Sequence, residues 1–146
     1  MTLQYVGIRV TDIDRSVHFY VDQLGLVERK RGTMSHGGVW VNLSDPTSKA
    51  QLELNYYPPG STHHRPFSPG EGLDHLGFSV RDARAMVERL KAHGAKVVVE
   101  PWLEEGRYWI GFVEDPDGHW IEIQSLAAAE KPAPKKDGST APSASS

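Results

Sequence analysis

The sequence predicts an α+β protein made of two tandem βαβββ modules. Three observations carry that prediction. Strand-like and helix-like patterns succeed one another in the same order twice. Related residues recur at a nearly constant separation: Tyr5 and His75, Val10 and Val80, and Asp12 and Asp82 lie 70 apart, and Leu52-Glu53-Leu54 and Ile121-Glu122-Ile123 lie 69 apart. Both helix-like stretches stop at a glycine, Gly25 and Gly94. So long a repeat is not a solenoid unit and reads as a duplicated half-domain with a pseudo-two-fold axis.

The elements follow in order. Leu3 to Val10 alternates well enough for a strand. Thr11-Asp12-Ile13-Asp14 offers an N-cap and an acidic first turn. Ile13, Val17, Tyr20 and Leu24 then recur at helical spacing and give one apolar stripe. Strands are expected near Val27–Arg31, Gly38–Leu43 and Gln51–Tyr56, and Pro58 to Pro69 reads as a loop. The second pass has a strand over Leu73–Val80 and a helix marked by Ala83, Met86, Val87 and Leu90. Strands at Lys96–Glu100, Tyr108–Val113 and His119–Gln124 complete it, with Asp115-Pro116-Asp117-Gly118 as the turn between the last two. Residues 1–126 form the folded body, with module one at about 3–58 and module two at about 70–126. Residues 127–146 have no large apolar side chain and are expected to be a disordered tail.

Composition narrows the function classes. The chain has no cysteine, so disulfides and thiolate ligands are excluded and any metal must be held by His, Asp or Glu. The net charge is −3 and no basic block is present, which argues against nucleic acid as a partner. No apolar run approaches the roughly 18 residues a membrane span needs. The amino terminus enters a strand-like run with no signal-like pattern, so a cytoplasmic location is expected.

Glu53 and Glu122 each interrupt a strongly apolar run. Strand neighbours point to opposite faces, so the flanking aliphatics face the core and each glutamate faces away from it. By the same alternation His75 and its repeat-mate Tyr5 share that second face. A lone strand glutamate is ordinarily solvated and a lone strand histidine ordinarily structural. The symmetric placement of the set points instead to two carboxylates and an imidazole around a divalent ion: Ni, Zn, Mn, Co or Fe(II). The remaining polar and aromatic groups read more plainly. His63 and His64 are loop residues able to cap a pocket, and His18, His93 and His119 are structural or surface residues. Trp40, Tyr56, Tyr57, Trp102, Tyr108 and Trp109 are mainly packing residues.

The segments Gly7-Ile8-Arg9-Val10, Ser16-Val17-His18-Phe19-Tyr20, Gln51-Leu52-Glu53-Leu54, Asp74-His75-Leu76-Gly77-Phe78-Ser79-Val80 and Phe112 to Ile123 identify a resemblance. The chain resembles the vicinal oxygen chelate superfamily, which includes glyoxalase I, methylmalonyl-CoA epimerase, extradiol dioxygenases, and fosfomycin or bleomycin resistance proteins. The resemblance covers nearly all of residues 3–126 and implies a curved mixed sheet. It places metal ligands at Glu53, His75 and Glu122, with Glu122 and Glu53 as the catalytic carboxylates. The fourth ligand position falls on Tyr5, where His or Gln is usual. Arg9 matches an arginine that binds the glutathione carboxylate in glyoxalase I. Tyr57 stands where that enzyme has an asparagine that helps to hold glutathione.

Three functions follow from the resemblance. The first is a lactoylglutathione lyase-like metalloenzyme acting on a small substrate with vicinal oxygens, by proton abstraction and enediolate stabilisation. The second is an Fe(II) extradiol-type dioxygenase, which needs a second imidazole from His63 or His64. The third is a non-catalytic drug-binding resistance protein. A homodimer is expected in each case, with the site formed within one chain or across two.

Overall fold

The computed structural model describes residues 4–35, 37–70 and 73–127. The expected tail lies outside the described residues from 128 onward. Ala127 is still tied in, its N–H donating to Arg107 O at 2.8 Å.

Module one comprises β1 (Val6–Arg9), α1 (Ile13–Val17), β2 (Val27–Thr33), β3 (Val39–Ser44) and β4 (Gln51–Tyr56). Module two comprises β5 (His75–Ser79), α2 (Ala83–Ala92), β6 (Val97–Glu104), β7 (Tyr108–Glu114) and β8 (Trp120–Leu126). Each module forms its own four-stranded mixed sheet, ordered β1-β4-β3-β2 and β5-β8-β7-β6. In each, the first strand pairs in parallel with the last and the other pairings are antiparallel.

The repeat is visible in local chemistry. Asp12 and Asp82 are both extended N-cap residues, accepting from Arg15 N at 2.9 Å and Ala85 N at 3.1 Å. Gly25 and Gly94 follow the two helical stretches with φ of 82° and 93°, a conformation that costs a side-chain-bearing residue about 1 kcal/mol or more. One face of each sheet packs on its helix. Val41, Leu43, Leu52 and Leu54 of module one, Val113, Ile121, Ile123, Ala83, Val87 and Leu90 of module two, and Phe19 and Tyr20 all belong to one continuous core. The opposite face, here called the open face, carries Glu53 and Glu122.

Two elements depart from expectation. The first helix is α-helical only to Val17 and continues as a π-helical segment, His18–Gln23, closed by Leu24 N donating to Phe19 O at 3.1 Å. Apolar spacing does not reveal this, because the wider turn still carries Phe19 and Tyr20 into the core. β6 does not stop at Glu100 but runs through Pro101 to Glu104. It is an edge strand, so a residue without an N–H is tolerated, and register shifts on either side of Val99 absorb the disruption.

The modules are joined by a polar clamp. Buried Tyr20 donates its hydroxyl to Asp115 Oδ2 at 2.8 Å, and His119 Nδ1 bonds the same oxygen at 2.8 Å. Asp117 accepts from Thr11 N at 3.2 Å, from the Thr11 hydroxyl, from Ser16 Oγ at 3.3 Å and from Arg15 Nη2 at 3.3 Å. The turn after β7 is therefore bonded to the start of the first helix, and His119 is structural as expected.

Candidate functional site

Strand register sets the geometry of the open faces. Paired residues in neighbouring strands point the same way, so Gly7, Glu53 and Asn42 form one row across module one. Gly77, Glu122 and Phe112 form the equivalent row in module two. A glycine flanks each glutamate on the parallel side. At Gly77 an added Cβ would meet nothing within 4 Å, so the approach to Glu122 is open from that side. Leu52, Leu54, Ile121 and Ile123 are buried on the far side, which fixes the direction of each glutamate.

The structure brings His75 and Glu122 together. His75 Nε2 lies 3.3 Å from Glu122 Oε2, on a half-exposed imidazole and a carboxylate with 20% side-chain exposure. On the other side of the ring, Nδ1 lies 2.5 Å from Asp74 Oδ1. With Asp74 accepting the Nδ1 proton, Nε2 is directed at the carboxylate and the open face. Such a carboxylate behind a histidine orients the ring and raises its basicity as a ligand. The Phe112 ring stands nearly perpendicular to the imidazole, 5.6 Å between centroids. Sequence reasoning assigned no role to Asp74 or Phe112. The adjacent Asp-His pair was the available signal for the first, and the register opposite Glu122 for the second.

Glu53 does not join this pair within the chain. It sits on the open face of the other sheet, half-buried, with no hydrogen bond or ion pair to its carboxylate among the described residues. Among the described residues no three His, Asp or Glu side chains cluster closely enough to hold a metal. Tyr5 precedes β1 and is 45% exposed. Arg9 stacks its guanidinium over the Tyr57 ring at 4.7 Å, and Tyr57 in turn stacks on His63 at 5.9 Å. Arg9 lies two residues along β1 from Gly7, so this stack shares the open face with Glu53. His64 Nδ1 lies 3.0 Å from Tyr57 O. Among the described residues no metal-holding cluster joins either loop histidine to His75 and Glu122.

The described helices include none long and apolar enough to cross a membrane. Comparison with known proteins fits this geometry. The Glyoxalase/Bleomycin resistance protein/Dioxygenase superfamily matches residues 2–123. A lactoylglutathione lyase from Neisseria meningitidis is 32% identical over 127 residues, covering 84% of this chain and 89% of the relative. A lactoylglutathione lyase from Arabidopsis thaliana is 30% identical over 132 residues, but the chain spans only 45% of that plant protein's length. A crystal structure of a glyoxalase family protein from Bacillus cereus superposes with a TM-score of 0.70 at 20% identity, covering 86% of this chain and 94% of that one, and so shares the fold. By its matched length and its paired βαβββ modules, the chain belongs to the Glyoxalase/Bleomycin resistance protein/Dioxygenase superfamily, whose members bind small molecules.

Proposed function

We propose that the chain is a divalent-metal-dependent lyase or isomerase of the glyoxalase I type, acting on a small substrate with vicinal oxygens. The observation that carries this is the Asp74–His75–Glu122 arrangement, with Glu53 at the equivalent place in the other module. The donor set fits the metal. One imidazole backed by a carboxylate, plus two carboxylates on open faces, matches the nitrogen and oxygen ligands of Ni, Zn, Mn, Co or Fe(II). Because Glu53 stands apart from the other two, the site is completed by a second copy of the chain. Glu53 of one protomer then faces His75 and Glu122 of its partner in a two-fold homodimer. The plant relative's length, more than twice the matched stretch, is what two joined copies would have.

When bound, the metal stabilises negative charge developing on the substrate oxygens. The chain's own groups do the rest. Glu122 takes the proton alpha to the carbonyl and returns it to the neighbouring carbon. Asp74 holds the imidazole in one orientation. The Tyr5 hydroxyl, which both donates and accepts, suits hydrogen bonding to substrate better than ligation to Zn or Ni. Arg9, held flat by Tyr57, presents a cation to an acidic part of the substrate.

The test is turnover of a methylglyoxal–thiol hemithioacetal, with solvent deuterium incorporation, after loading with Ni, Co, Mn or Zn. Activity with at least one metal is expected, and Glu122→Gln should lower kcat by a factor of about 10²–10⁴. Absence of turnover with every metal removes the lyase assignment. Oxygen uptake with Fe(II) and a catechol would favour the dioxygenase reading instead. A metal-free protein whose Glu122→Ala variant binds a drug ligand normally would favour sequestration.

A further inference from the structure

We infer that the substrate carries a flat aromatic group beside its vicinal oxygens, and that Trp102, Phe112 and Trp120 form the surface that receives it. This rests on the reading of His75 and Glu122 above and names the substrate class of that site.

Phe112 is paired in register with Glu122, and Trp120 with His75. Any molecule whose reacting carbon reaches the Glu122 carboxylate therefore lies against these two rings. Trp102 stacks on Phe112 with centroids 6.1 Å apart and planes at 17°, and Phe112 meets Trp120 at 5.8 Å. The wall is preset. Trp102 Nε1 donates to the exposed Glu104 Oε2 at 2.5 Å, which with the Phe112 stack favours one plane of the indole before a ligand arrives. Trp120 is 43% exposed, an unusual outlay for an indole on a strand whose other face is core.

The internal repeat extends the argument to the other wall. Gly32 and Trp102 occupy equivalent positions, 70 apart, as do Trp40 and Ile110. Gly32 pairs with Trp40, and Trp102 with Ile110. At Gly32 an added Cβ would sit 2.9 Å from the Trp40 indole, so the missing side chain is what lets that indole lie across the strand. Each sheet thus keeps one indole on the same rung, supplied from opposite strands. Trp40 is paired with Asn55, two residues from Glu53, and so lies on the open face that Glu53 occupies. In a site that joins Glu53 of one protomer to His75 and Glu122 of its partner, indoles line both sides. Two such surfaces favour a flat ring, whose stacking adds to simple burial.

The experiment compares hemithioacetals of phenylglyoxal and methylglyoxal made with the same thiol, on the metal-loaded full chain. The phenyl substrate is expected to have a kcat/KM at least about tenfold higher. That ratio should fall toward one in Trp120→Ala and in Trp102→Ala, and stay unchanged in Trp109→Phe, whose ring lies under Arg84 away from the pair. No preference, or a preference that survives both alanine variants, overturns the inference. If neither substrate turns over, the lyase reading fails and binding decides the point. Mandelate bound more tightly than lactate, read by tryptophan fluorescence and weakened in Trp120→Ala, upholds the aryl surface. Equal or absent binding of the two acids overturns it.

Discussion

Asp74 is the residue on which the imidazole's usefulness turns. An exposed histidine in a strand samples several rotamers and both tautomers. The 2.5 Å contact to Nδ1, from a carboxylate that is itself 90% exposed, favours one tautomer with Nε2 toward Glu122. Asp74→Asn keeps the shape but gives up the charge. Metal affinity is expected to fall about 10–100-fold, read by competition with a chelator, with the far-UV spectrum unchanged. Retention of full affinity would mean that the contact is incidental. The glutamates and His75 were legible in the sequence because each breaks an apolar pattern and each has a repeat-mate. Asp74 lies before β5 and belongs to no periodicity, so only its adjacency to His75 marks it.

At the scale of the element, the turn after β7 is a connector that also carries structure. Burial alone would push the Asp115 carboxyl up. The His119 hydrogen bond and charge, with the Tyr20 hydroxyl, outweigh burial and hold it below the usual carboxylate range. For Tyr20, burial first and the nearby Asp115 charge second push the phenol well above its ordinary value, so it stays a donor. A lowered carboxylate stabilises the fold above its unfolded pKa of about 4, and that contribution is lost as pH falls through the lower folded value. Asp115→Asn should therefore flatten the dependence of Tm on pH on the acid side of about pH 4. Tyr20→Phe leaves Asp115 one donor short and should cost about 1–2 kcal/mol, seen in urea unfolding at neutral pH. A wild-type midpoint in that variant would show that the hydroxyl is idle. The sequence marked this turn clearly, but Asp-Pro-Asp-Gly reads the same whether its carboxylates face water or a neighbouring helix. Likewise the extension of β6 through Pro101 depends on its edge position, which emerges only from the sheet order.

For the whole molecule, duplication made the topology readable while leaving the convergence of the site unspecified. Constant offsets place Glu53 and Glu122 equivalently, yet equivalence under a pseudo-two-fold axis does not require proximity. In this chain the two lie on separate sheets. The proposed shared site has a direct check. Glu53→Ala and Glu122→Ala proteins, each inactive alone, are mixed and allowed to exchange protomers. Half the dimers become mixed, each with one intact site, so about a quarter of wild-type activity should return. No recovery despite demonstrated exchange would place the site within one chain.

The clamp at Asp115 and Asp117 has a consequence for how the protein breathes. The carboxylates there hold amides from both halves: Thr11 N from one, Asp117 N and His119 N from the other. Thr11 N lies at the exposed rim of the junction, whereas His119 N is buried and held within the turn by Asp115. Deuterium should therefore enter the buried His119 amide more slowly than the exposed Thr11 amide, and Tyr20→Phe, which removes one of the donors holding Asp115, should quicken exchange at His119.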